Sequence, residues 1–176
     1  MAAVADEEFD QFMRGRWPAM VRLGYALTGD AGLAEDLAQA AFARAYASWG
    51  RVRRAGDPDA YVRRIVINAN RSRLRKRRVT EELRADLADS LAGQQQAPPQ
   101  EPGGLLDALN QLGPRQRAVV VLRYWLDLSE AETAAALNCS VGTVKSQASR
   151  ALATLRATAT SHDRAAGEDT VEGGRR

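Results

Sequence analysis

The chain has 176 residues, 45% of them hydrophobic and 27% charged, with a formal net charge of +3; this length accommodates one medium domain or two small ones, each near the lower limit for a stable core. A single cysteine, Cys139, excludes an internal disulfide and a multi-thiolate zinc site, and a single histidine, His162, in a polar tail leaves nothing for Ser-His-Asp chemistry or a histidine metal site. The composition therefore argues against an enzyme and implies no cofactor. No basic and apolar leader and no apolar run of about eighteen residues occurs, so a cytoplasmic protein without membrane insertion is expected.

Phe9, Phe12, Met13, Met20, Val21 and Leu27 form the first helical pattern, in which Pro18 predicts a break or kink. Thr28-Gly29-Asp30 ends it, and Asp30 can cap the next helix. There Ala34, Leu37, Ala38, Ala41, Phe42, Ala45, Tyr46 and Trp49 recur at steps of three and one, the strongest helical period in the chain. The other face carries Glu35, Asp36, Gln39 and Ala43, which composition alone reads as a solvated acidic and amide surface.

Beyond a Gly- and Arg-rich stretch at residues 50–56, Asp57-Pro58 has the chemistry of a helix start, with Asp as cap and Pro in the first turn. Val62, Ile65, Val66 and Ala69 make its inner stripe, and Asn68 and Arg71 fall off it. Across residues 71–78, six of eight are Arg or Lys. Such a density repels itself in water and predicts a polyanionic partner.

Residues 85–104, with a glutamine run, Pro98-Pro99, Pro102 and Gly103-Gly104, cannot form a packed core and read as a linker. Helical signals resume at Leu105, Leu106, Leu109 and Leu112, and Gly113-Pro114 starts another helix over RQRAVVVLRYWL.

Residues 128–155 then have the spacing of a helix-turn-helix. Ser129 and Glu132 form a capping box ahead of a short alanine-rich helix that ends at Leu137. Asn138 and Cys139 supply the turn, with Cys139 a small buried residue, and Ser140 caps a second helix. Steps of roughly 100° place Val141, Val144, Ala148, Ala151, Leu152 and Leu155 on its inner face and Gly142, Lys145, Ser146, Ser149 and Arg150 opposite. Short polar side chains with two cations suit a major groove, and Gly142 and Thr143 in the first turn leave backbone N–H groups for a phosphate. From Ala159 the tail is polar and glycine-bearing, and disorder is expected.

The predicted fold is all-α: two small helical domains, residues 1–84 and 105–158, joined by a flexible linker over 85–104, with the helix-turn-helix in the second and a disordered tail over 159–176. Two functional classes compete on the residues alone. One is a helix-turn-helix regulator acting on duplex DNA alone; the other also engages a polyanion through the basic helix over residues 71–78.

The order of parts resembles an extracytoplasmic-function sigma factor of the sigma-70 class. AEDLAQAAFARAYASW, over residues 34–49, looks like the family's region 2.2; YVRRIVINANRSRLRKRR looks like regions 2.3 and 2.4; LGPRQRAVVVLRYWLDLSEAETAAALNCSVGTVKSQASRALATLR looks like region 4. Gly113 stands where the family commonly has proline, and Gln147 and Ser149 replace basic and bulky residues of some members. The resemblance implies a protein that binds bacterial core RNA polymerase, recognises −35 and −10 promoter DNA and promotes melting, with an anti-sigma factor as a further candidate partner. It assigns Glu35, Asp36 and Gln39 to core polymerase; Arg64, Asn68, Arg71 and Arg75 to the single-stranded −10 element; and Thr143, Lys145, Ser146, Ser149 and Arg150 to the −35 duplex. Only about twenty polar residues follow Leu155, so the extra C-terminal domain of some larger members is not expected.

Overall fold

The computed structural model describes residues 2–85 and 104–172, all of whose elements are helical. The chain divides into two compact units, residues 1–97 and 98–176. Most of the expected linker, residues 86–103, lies outside the described residues.

The N-terminal unit is built from α1 (Ala2–Thr28), α2 (Ala31–Ala47), α3 (Trp49–Arg54) and α4 (Pro58–Ala85). α1 runs unbroken through Pro18. Proline removes one backbone bond there, but Phe9, Met20, Leu23 and Leu27 are buried on both sides of it and hold the helix in one piece. Its end is set by Gly29, which adopts φ 70° and donates its N–H to the Tyr25 carbonyl at 2.7 Å. Asp30 then caps α2 by accepting from the Leu33 N–H at 2.9 Å, as its position predicts.

α1 and α2 approach closely because Gly24 faces Ala34: a Cβ on Gly24 would lie 2.9 Å from the Ala34 Cα and carbonyl oxygen. Beside this crossing, Phe9, Phe12, Trp17, Phe42 and Trp49 form an aromatic cluster with centroid separations of 5.1–6.5 Å. Edge and offset contacts of this kind add to burial. Tyr46 departs from the predicted stripe. It is 52% exposed, and its hydroxyl donates to Asp6 at 2.9 Å, which raises the phenol pKa. At the end of the stripe the apolar side has already been filled by Phe42, Ala45 and Trp49.

Trp49, read from the sequence as the end of the second helical stripe, instead opens α3, which runs into the Gly- and Arg-rich stretch and buries Trp49 and Val52. Arg53 pairs with Glu8 of α1. Asp57 caps α4 through the Ala60 N–H at 2.9 Å. Inside α4, Val62 and Val66 are fully buried as expected, but the stripe continues to Ile67 and Asn70 while Ile65 and Ala69 are only half-buried. Both α1 and α2 pack on α4, so its buried arc is wider than one stripe.

The C-terminal unit comprises α5 (Leu105–Asn110), α6 (Pro114–Val120), a π-helical turn over Val121–Trp125, α7 (Glu130–Leu137) and α8 (Val141–Glu172). Leu109 and Leu112 are buried, whereas Leu105 is 68% exposed. Arg117, a buried cation, donates to the carbonyls of Leu109 (2.8 Å), Asn110 (3.2 Å) and Leu112 (3.4 Å). It satisfies the open carbonyl end of α5 and offsets the negative end of its dipole.

The helix-turn-helix core is Val119, Ala134 and Val144, with Leu137, Cys139 and Ala148 against it. Its expected devices are present: Ser129 accepts from the Glu132 N–H at 3.2 Å and its own N–H donates to the Glu132 carboxylate at 2.8 Å. Asn138 takes the left-handed conformation at φ 53°, which asparagine tolerates, and Ser140 accepts from the Thr143 N–H at 3.1 Å. Val141 is 39% exposed rather than inner, because it opens the helix before the turn packs.

α8 continues as helix to Glu172, through the stretch expected to be disordered. It contains no proline, and once a helix is nucleated each added residue costs little, so an alanine-bearing polar segment propagates it. Among the described residues no helix is long and apolar enough to cross a membrane.

Candidate nucleic-acid interfaces

Tyr61, Arg64, Asn68, Arg71 and Arg75 recur at i, i+3 and i+4, which sets them within an arc of about 80° on α4. Asp57-Pro58 fixes where that helix starts, and the burial of Val62 and Val66 fixes which way the arc faces. Arg64 and Arg75 are exposed; Asn68 and Arg71 are half-buried. The Arg64 guanidinium sits 5.8 Å from the Tyr61 ring centroid. An aromatic face, a guanidinium, a half-buried amide and two further arginines on one strip can stack a base, hydrogen-bond its edge and track a backbone. Tyr61 was not among the residues singled out from the sequence; its signal is the three-residue step to Arg64.

The two asparagines of INAN separate cleanly. Asn70 is 1% exposed and its side-chain oxygen accepts from Arg73 at 3.0 and 3.3 Å. Burial lowers the Arg73 pKa, with Arg77 adding repulsion and Asp30 opposing both. Asn70 and Arg73 thus belong to the packing of α4, and Asn68 is the amide left at the surface.

Glu35, Asp36 and Gln39 are all exposed on α2, opposite the buried Ala34, Leu37, Ala38, Ala41 and Phe42. The patch is acidic and polar, on a helix whose buried Ala34 packs closely against Gly24 of α1.

On α8, Thr143, Lys145, Ser146, Ser149 and Arg150 are all exposed, with Val144 and Ala151 fully buried behind them. The Ser146 hydroxyl donates to the Thr143 carbonyl at 3.0 Å and so offers lone pairs outward. Ser140 and Thr143 hydroxyls lie 2.9 Å apart at the helix start, occupied with each other. The Lys145 ammonium lies 3.6 Å from a Glu130 carboxylate oxygen. Glu130 is a contributor that the sequence hid, because an acidic residue in a first turn is accounted for by the helix dipole. Two residues on, the Ser129 hydroxyl and then its backbone N–H hold the Glu132 carboxyl below its usual range. Burial pushes the Cys139 thiol up, in keeping with a packed turn residue.

The sigma-70 region 2 family model matches residues 16–80, and the sigma-70 region 4 model matches residues 103–155. The chain is 41% identical over 149 residues to the RNA polymerase sigma-E factor of Streptomyces coelicolor, covering 85% of this chain and 84% of that one. It is 40% identical over 156 residues to the protein of the same name from Streptomyces avermitilis, covering 89% and 87%. Among solved structures, the sigma factor RpoE of Bartonella quintana, in complex with the anti-sigma factor NepR, is similar at 28% identity with a TM-score of 0.57, covering 85% of this chain and 95% of that one. With regions 2 and 4 matched in order and such relatives spanning most of both chains, this protein belongs to the extracytoplasmic-function group of sigma-70 RNA polymerase sigma factors.

Proposed function

We propose that the N-terminal unit docks on core RNA polymerase through Glu35, Asp36 and Gln39 and holds the melted −10 strand along Arg64, Asn68, Arg71 and Arg75, while Thr143, Lys145, Ser146, Ser149 and Arg150 read the −35 duplex. The observation that carries this reading is the α4 strip: Arg64, Asn68, Arg71 and Arg75 share one face with Tyr61, a surface for single-stranded bases that a duplex regulator lacks. Polymerase supplies the chemistry, in the cytoplasm, and this chain supplies promoter choice and strand capture without being an enzyme itself. The Bartonella quintana relative is held by an anti-sigma factor, and a partner of that kind is proposed here as well.

The deciding experiment is transcription in vitro with purified core polymerase and this chain on a genomic promoter library. Start sites that require the chain and share two elements support the reading. Transcription unchanged by its addition, with duplex binding retained, returns it to a regulator acting alone.

A further inference from the structure

We infer that Glu130 is a specificity-determining residue of the −35 reader, acting by positioning Lys145. This rests on the reading of α8 as the duplex-contacting helix. The pair links the first residue of α7 to the fifth of α8, so it spans the two helices of the motif.

At 3.6 Å the contact is an ion pair too long to be a hydrogen bond. The carboxylate therefore holds the ammonium in place electrostatically while leaving its three N–H donors for base-edge acceptors. Both side chains are substantially exposed, so the pair adds little to folding. Its effect falls on DNA binding. A lysine already neutralised by a neighbour displaces fewer counterions from the phosphate backbone, so it contributes less to sequence-independent affinity than a free cation does.

Arg150, about 1.4 turns further along α8 and roughly 140° around it from Lys145, is also exposed and has no carboxylate partner among the described residues. It is the cation suited to a phosphate. The two cations thus divide between them the tasks of specifying and positioning. With Glu130 neutralised, Lys145 becomes a second free cation: binding to any duplex strengthens, and discrimination falls.

The test is a double-mutant cycle in the holoenzyme, comparing wild type, Glu130→Gln, Lys145→Met and the double variant. The measurement is affinity for a promoter duplex and for a scrambled duplex across a salt series. Glu130→Gln should tighten scrambled-duplex binding several-fold at low salt, steepen the salt dependence by up to about one unit of log K per log salt, and reduce the promoter-to-scrambled ratio. In the Lys145→Met background the same change should have no further effect. Persistence of the Glu130→Gln effect without Lys145 would mean a bare negative charge repelling DNA, and would overturn the positioning role. So would a Glu130→Gln protein indistinguishable from wild type while Lys145→Met is defective. If Lys145→Met is itself silent on both duplexes, the assignment of Lys145 to the −35 reader is what fails.

Discussion

Two glycines of α1 make opposite predictions in the same helix. A Cβ at Gly15 meets nothing within 4 Å, whereas one at Gly24 lies 2.9 Å from the Ala34 Cα and carbonyl oxygen and 3.1 Å from its Cβ. Glycine inside a helix costs about 0.8–1 kcal/mol relative to alanine, so Gly15→Ala should stabilise by nearly that amount. Gly24→Ala makes the same gain but must push α2 away by several tenths of an ångström, since the opposing atoms are backbone and cannot swing aside. Overpacking of this kind costs roughly 1–3 kcal/mol, and the displaced surface includes the buried Ala26, Leu27, Ala38 and Ala41, so the propensity gain should be cancelled and the net change should be a loss of up to about 2 kcal/mol. For a unit of this size that corresponds to a fall in Tm of up to about 16 °C. Urea unfolding followed by tryptophan fluorescence isolates the N-terminal unit, because Trp49 is buried and Trp17 stacks on Phe42 there while Trp125 is already exposed. If both variants gain stability equally, helix propensity governs and the close crossing has been misread.

Asp36→Arg combined with Gln39→Ala should abolish co-purification with core polymerase and leave circular dichroism and thermal unfolding near wild type, as both side chains are exposed. Thr133→Val should stabilise the C-terminal unit by about 1 kcal/mol in thermal unfolding, because the fully buried Thr133 hydroxyl has no hydrogen-bond partner among the described residues. Asn68→Ala should impair strand opening, read as lost permanganate reactivity at −10 thymines, and should be partly rescued on a pre-melted template; Asn70→Ala should instead lower stability. Acidification should weaken the cap of α7. The Glu132 carboxyl is held low by the Ser129 hydroxyl and then its backbone N–H, so its stabilising effect is present above the ordinary glutamate range and is lost as pH falls through the depressed value, a loss that Ser129→Ala should reduce in the unfolding profile, since the backbone N–H still donates.

Where the fold was legible in the sequence, the signal was local. Asp30, Asp57-Pro58, Ser129 with Glu132 and Ser140 each carry their capping chemistry within three residues, and each forms the bond expected of it. The alanine stripe of α2 was equally plain, since a period needs no knowledge of its partner. What stayed hidden depends on neighbours distant in sequence. α3 buries only Trp49 and Val52, too few apolar residues to show a period among glycine and arginines. The burial of Asn70 follows from α4 being covered from two directions, and Arg117 is buried because carbonyls five to eight residues earlier need a donor. In the candidate sites the exposed residues were readable from periodicity, as was the step from Tyr61 to Arg64, whereas Glu130 beside Lys145 required coordinates.

The arginines and asparagines of this chain show why composition alone ranks binding residues poorly. Arg117 has its donors on backbone carbonyls at 2.8–3.4 Å, and Arg73 is bonded to a buried amide at 3.0 Å. A guanidinium so engaged cannot turn to a phosphate without leaving buried polar groups unsatisfied, at roughly 1–3 kcal/mol each. Arg64, Arg75 and Arg150 carry the same charge with exposed side chains. A count of positive charge across residues 71–78 therefore overstates the charge free to meet a partner, because the Arg73 guanidinium is engaged with Asn70. The same distinction separates Asn68 from Asn70 two positions apart: on a helix, two residues turn the side chain by about 200°, enough to send one amide to the surface and the other into the core. The strip proposed for promoter contact is therefore better drawn from residues whose side chains are exposed, Arg64 and Arg75 among them, than from a count of basic residues.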